Sequence, residues 1–110
     1  DCLLASVDEA DASGIPYFLV GHVGDGNFRF GYLIDPAVPE ERERAEQLNH
    51  RLVARALSMG GTCTGEHGVG VHKMGFLVDE TGAGAVDVMR AIKRALDPKN
   101  ILNPGKIFAL

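Results

Sequence analysis

Three features that often point to a function are scarce or missing in this chain of 110 residues. A net charge of -4 and a pI near 5.5 leave no basic surface for a nucleic acid, so we exclude that class of partner. No apolar run approaches the ~20 residues that span a bilayer, and no signal peptide is recognisable, so we expect a soluble, cytoplasmic domain. The two cysteines, Cys2 and Cys63, form no CxxC pair, which excludes a disulfide scaffold and favours reduced thiols.

Hydrophobic residues make up 45% of the chain, which is enough for the core of one domain. The chain lacks an initiator Met and opens inside an amphipathic pattern, so we expect it to be cut from a longer protein. The pattern predicts a first helix ending near Ser13, a long helix from Pro39 to Gly60, and a third over 83–96. Two β-favouring runs, 17–20 and 28–34, lie between the first two helices, and together these elements predict an α+β fold with an antiparallel sheet.

The residues between the two strands carry a strong hairpin signal, because Asp25-Gly26 suits a two-residue type I′ turn. Such a turn would place His22 opposite Arg29, with their Cβ atoms about 5 Å apart. Two imidazoles held in this way could bind one divalent metal, but Arg29 cannot coordinate. On the returning strand, one face is predicted to carry aromatic and aliphatic core residues and the other Arg29, Gly31 and Leu33.

A glycine-rich passage, 61–72, joins the long helix to the last one and contains Glu66 and His67. It could be an irregular, solvated connection, or a loop that lets a ligand approach the backbone closely. Its GxxGxG spacing fits neither the dinucleotide fingerprint nor a P-loop, so a phosphate cradle is disfavoured. Nucleophilic catalysis by Cys63 would need a base such as His67 beside it, which the sequence does not place.

Four ordered strings, GHVGDGNF, GTCTGEHGVG, HKMGF and ALDPKNILNPGKIF, resemble the C-terminal part of the flavin-linked 2-hydroxy-acid dehydrogenases. That family includes the cytochrome-type D-lactate dehydrogenases, the D-2-hydroxyglutarate dehydrogenases and the flavin subunit of glycolate oxidase. The resemblance covers essentially the whole chain. It implies a partial cap domain with ferredoxin-like elements at residues 1–110, and an FAD-binding domain that is absent from this chain.

The resemblance also implies an activity and a set of site residues. The expected reaction is oxidation of a small D-2-hydroxy acid, of the lactate or glycolate class, with hydride transfer to FAD. His22, position 29 and Glu66 correspond to the family's ligands for zinc or manganese. His67 corresponds to the base that also contacts the substrate, and Asn103 lies in a tail that would contact the flavin.

Arg29 departs from the family pattern at a ligand position, so His22 and Glu66 alone would make a two-ligand site that retains zinc poorly. Either the guanidinium of Arg29 replaces the ion, pairing with Glu66 or binding the substrate carboxylate, or the substitution damages the site. Gly31 stands where the hydroxyglutarate branch of the family carries a substrate-binding asparagine. We therefore expect hydroxyglutarate to be a poorer substrate.

Two classes of function stay open for this chain. It is either the substrate domain of a flavin-dependent dehydrogenase, inactive as an isolated fragment, or a stand-alone binding module that kept the cap fold without catalysis. A truncated cap would expose apolar area, so we expect a tendency to form homo-oligomers. The full enzyme could also lie at a membrane surface beside its electron acceptor, or in mitochondria if its source is eukaryotic.

Overall fold

The computed structural model describes all 110 residues, which divide into two units, residues 1–61 and residues 62–110. The first unit contains α1 (Cys2–Ser13), β1 (Tyr17–His22), β2 (Asn27–Tyr32) and α2 (Pro39–Ser58). The second contains α3 (Met74–Thr81) and α4 (Ala83–Leu96). This composition confirms the predicted α+β class. No helix combines the length and apolar character that crossing a membrane requires.

Two helices and the end of the hairpin form the core of the first unit. Ile15, Ala45 and Leu48 are buried together, and Tyr32 and Ile34 pack against them. Polar contacts add to this packing, because Arg55 of α2 donates hydrogen bonds to Glu9 and to Ser6 of α1, each at 2.8 Å. The predicted α2 is confirmed, with Pro39 at its first turn and two carboxylates following it, where the helix dipole favours negative charge.

The two strands form an antiparallel hairpin whose register differs from the predicted one. His22 pairs with Asn27, and Val20 pairs with Arg29, so the prediction that His22 lies opposite Arg29 is wrong. The connection is a 3-10 turn over Val23–Asp25, closed by a 3.0 Å hydrogen bond from the Gly26 N–H to the Val23 carbonyl.

The physical reason lies in which residue of the turn takes a positive φ. A type I′ turn needs positive φ at both central residues, but only Gly26 adopts it here, at 75°, while Asp25 belongs to the 3-10 turn. The loop is therefore two residues longer than predicted, and the pairing moves by two positions. Because strands alternate with a period of two, this shift leaves every side chain on its predicted face.

The two faces of the hairpin differ in composition. One face carries aromatic rings in contact, with centroid distances of 5.3 Å for Tyr17 to Phe30 and 6.0 Å for Phe30 to Tyr32. This face continues into the helical core through Tyr32. The opposite face carries two of the candidate site residues, His22 and Arg29, both of which are exposed in this unit.

The second unit is built on α4, whose predicted range, Ala83–Leu96, is confirmed. Val86 is buried, but Ile92 and Leu96 of the predicted apolar side are largely exposed. The short helix α3 was not predicted, because its eight residues give too few turns for a clear period. The chain then returns towards the glycine-rich loop, where the Ile107 N–H donates a 2.7 Å hydrogen bond to the Gly70 carbonyl.

Candidate functional site

His22 and Arg29 lie on the same exposed face of the hairpin, as diagonal neighbours. His22 ends β1 and pairs with Asn27, and Arg29 stands two residues further along β2. Diagonal neighbours in an antiparallel pair are about 7–8 Å apart at the backbone, a distance that a long arginine side chain spans. The hairpin therefore offers an imidazole and a guanidinium side by side.

Gly21 allows this pairing, because the two strands approach too closely there for any side chain. A Cβ at position 21 would lie 2.4 Å from the carbonyl oxygen of Asn27 and 2.5 Å from the Cα of Phe28. The backbone φ of 154° is also one that residues with a side chain rarely adopt. The glycine thus fixes the position of His22 relative to β2.

The other two predicted site residues, Glu66 and His67, belong to the second unit. They lie in the glycine-rich loop, with the Oε1 atom of Glu66 3.6 Å from the Nε2 atom of His67. Both side chains are about 60% exposed. The loop turns tightly behind them, since the Gly68 N–H donates to the Gly65 carbonyl at 3.3 Å and Gly68 adopts a φ of 75°. His72, also exposed, is the last residue of this loop, shortly before α3.

The residues of the site do not fit a firmly held metal ion. No group of three or more histidine, cysteine, aspartate or glutamate side chains is arranged to hold one. His22 and Glu66 are ligands of the right type, but Arg29 at the third position is protonated and has no lone pair to donate. Structural and catalytic zinc sites use at least three protein ligands.

Cys63 is held as a neutral thiol and does not fit the role of a nucleophile. Its backbone N–H donates to the Glu80 carboxylate at 2.8 Å, and the residue is buried. Burial and the nearby Glu80 raise the pKa of the Cys63 thiol to about 11, so the reactive thiolate is scarce at neutral pH. Glu80 was missed by sequence reasoning, because nothing in the chain links position 80 to position 63.

Asn103, the predicted flavin contact, lies in an exposed turn that a buried aspartate organises. The Asp97 carboxylate accepts hydrogen bonds from the N–H groups of Ile101 at 3.0 Å and Leu102 at 2.9 Å, and from Lys93. The Lys93 ammonium and these N–H groups lower the pKa of Asp97 to about 2. Asn103 follows directly with a φ of 48°, and the residue is exposed.

Comparisons with known proteins identify relatives of this chain. The family model described as "FAD linked oxidases, C-terminal domain" matches residues 1–107. A mitochondrial "D-lactate dehydrogenase [cytochrome]" of Arabidopsis thaliana is 51% identical over 94% of this chain, which covers 18% of that protein. "Glycolate oxidase subunit GlcD" of Bacillus subtilis is 46% identical over 81% of the chain, covering 19% of its own length. The chain thus spans about a fifth of the curated relatives it matches.

Proposed function

Since this chain belongs to the FAD-linked oxidases, as part of their C-terminal domain, we propose that it is the substrate domain of a D-2-hydroxy-acid dehydrogenase. The relatives' names support lactate and glycolate as the substrate class. The FAD-binding domain then belongs to sequence outside these 110 residues, and the isolated chain is inactive. When bound, FAD supplies the acceptor for the hydride that leaves the substrate carbon. The mitochondrial location named for the Arabidopsis relative is extended to this chain as part of the same proposal.

In this proposal His67 accepts the proton of the substrate hydroxyl group. A neutral imidazole is suited to this step, because one of its ring nitrogens has a lone pair that can accept the proton. Glu66, with its carboxylate 3.6 Å from the ring, can pair with the imidazolium once the proton has been transferred. Asn103 offers its exposed amide to the flavin from the turn that Asp97 organises.

In this proposal Arg29 binds the substrate carboxylate directly, without a metal ion. The placement of Arg29 beside His22 on the exposed hairpin face is the observation that carries this step. The guanidinium matches a carboxylate with two parallel hydrogen bonds, and its permanent charge supplies what a divalent cation would otherwise supply.

The first test measures bound zinc and manganese in the purified chain and in the Arg29→His variant. We expect the native chain to retain neither metal and the variant to gain affinity for one, because a histidine at position 29 adds a second imidazole beside His22 on the same face of the hairpin. Equal, stoichiometric metal in both proteins would contradict direct carboxylate binding by Arg29.

The second test uses a complete flavoprotein, made by placing this chain in the Arabidopsis relative instead of the segment it matches. D-lactate and glycolate should bleach the flavin absorbance of this protein. His67→Gln should lower kcat about 100-fold or more, whereas the matched control His72→Gln should change it little. If the flavin stays oxidised with every 2-hydroxy acid, the chain is a binding module and the proposed function is wrong.

A further inference from the structure

Phe18 and Gly31 form an unusual cross-strand pair on the exposed face of the hairpin. They stand directly opposite each other in the register. A Cβ built on Gly31 would lie 2.0 Å from the Cζ atom and 2.2 Å from the Cε1 atom of the Phe18 ring. The outer end of the ring therefore lies over the glycine and fills the space that a side chain at position 31 would occupy.

This pair borders the candidate substrate site. The next pair along the same face is Val20 with Arg29, because facing positions recur every two residues. Two residues of strand correspond to about 7 Å, so the Phe18–Gly31 pair is the neighbour of Arg29 on this face of the hairpin. The ring is not buried in the hydrophobic core, since 48% of the surface of Phe18 is exposed.

We propose that Phe18, seated on Gly31, is a specificity-determining residue that forms an apolar wall beside the carboxylate-binding Arg29. The inference rests on the proposed function, in which Arg29 holds the substrate carboxylate. A short substituent on the hydroxyl-bearing carbon, such as the methyl group of lactate, then packs against the ring. A second carboxylate in that position would lose its hydration against the ring without gaining a partner, because Gly31 has no side chain.

Because the Phe18 ring lies over Gly31, a substitution at either position tests the proposal. Replacing Phe18 removes the wall directly. Adding a methyl group at Gly31 removes it indirectly, because the new Cβ at 2.0 Å from the ring forces the ring to move. Both changes should therefore alter substrate choice in the same direction, although they lie on different strands.

The test measures kcat/KM for glycolate, D-lactate and D-2-hydroxyglutarate in the complete flavoprotein and in its Phe18→Ala, Phe18→Leu and Gly31→Ala variants. Phe18→Ala should lower kcat/KM for D-lactate about fourfold, the factor that corresponds to one buried methyl group. It should raise the ratio of kcat/KM for hydroxyglutarate to that for lactate by about tenfold, and leave glycolate least affected. Gly31→Ala should move the same ratio upwards. Leu4→Ala, which truncates an exposed apolar side chain of α1, serves as the control.

The outcomes separate this inference from the proposed function. If the native protein oxidises lactate or glycolate but the hydroxyglutarate ratio stays constant in both the Phe18 and Gly31 variants, the specificity role is wrong and the proposed function stands. If no 2-hydroxy acid reduces the flavin, the proposed function fails and the specificity role falls with it. If Phe18→Ala loses its flavin, the ratio of kcat/KM for hydroxyglutarate to that for lactate is measured in Phe18→Leu, which keeps an apolar side chain on the strand.

Discussion

Replacement of Gly21, near the end of β1, by alanine should cost more stability than the same change at either glycine of the hairpin loop. A residue with a side chain held at a φ of 154° carries about 1–3 kcal/mol of backbone strain. The new methyl group would also lie 2.4 Å from the Asn27 oxygen, and relieving such overpacking costs about 1–3 kcal/mol more. We therefore expect the free energy of unfolding to fall by about 2–6 kcal/mol.

Two neighbouring glycines provide matched controls for this measurement. A Cβ on Gly24 meets open space, so Gly24→Ala should change stability by less than about 1 kcal/mol. Gly26 also faces open space but has a φ of 75°, so Gly26→Ala should cost about 1–2 kcal/mol. Urea unfolding followed by circular dichroism gives all three values on one scale. Equal losses for Gly21 and Gly24 would refute the close approach of the two strands.

Two further predictions concern the second unit. Cys63 should react slowly with a thiol reagent at pH 8, because the pKa of its thiol is raised to about 11. Glu80→Gln should speed the reaction by lowering the pKa of the Cys63 thiol, whereas the control Asp79→Asn should not. An unchanged rate in Glu80→Gln would contradict the contact between Glu80 and Cys63. The lowered pKa of Asp97 means that its stabilising effect is complete above its ordinary value of 3.8 and is lost as pH falls towards about 2. The urea midpoint of Asp97→Asn should thus fall less over this range than that of the native chain, and parallel falls would argue against the Asp97 contacts.

Local signals in the sequence predict the elements of the fold well. Pro39 with its following carboxylates indicates the start of α2, and the alternation along 28–34 indicates which face of β2 packs on the core. The register of the hairpin was predicted wrongly, because the choice between a two-residue and a four-residue loop depends on a single φ angle at Asp25. A dipeptide that suits one turn type is also compatible with another.

The candidate site could be predicted only in part, for a related reason. The sequence motifs single out His22, Arg29, Glu66, His67 and Asn103, but they say nothing about what supports them. Phe18 lies over Gly31, and Glu80 holds the backbone of Cys63, through contacts between distant parts of the chain. Such contacts depend on tertiary packing and leave no periodic pattern to detect.

The single backbone hydrogen bond between Ile107 and Gly70 has an entropic consequence for the second unit. It closes a long loop of chain, so the glycine-rich loop and the C-terminal tail lose conformational entropy together when this hydrogen bond forms. Immobilising the tail would therefore also restrict the glycine-rich loop that contains His67. Order in the tail and order in the glycine-rich loop are then linked in a single equilibrium.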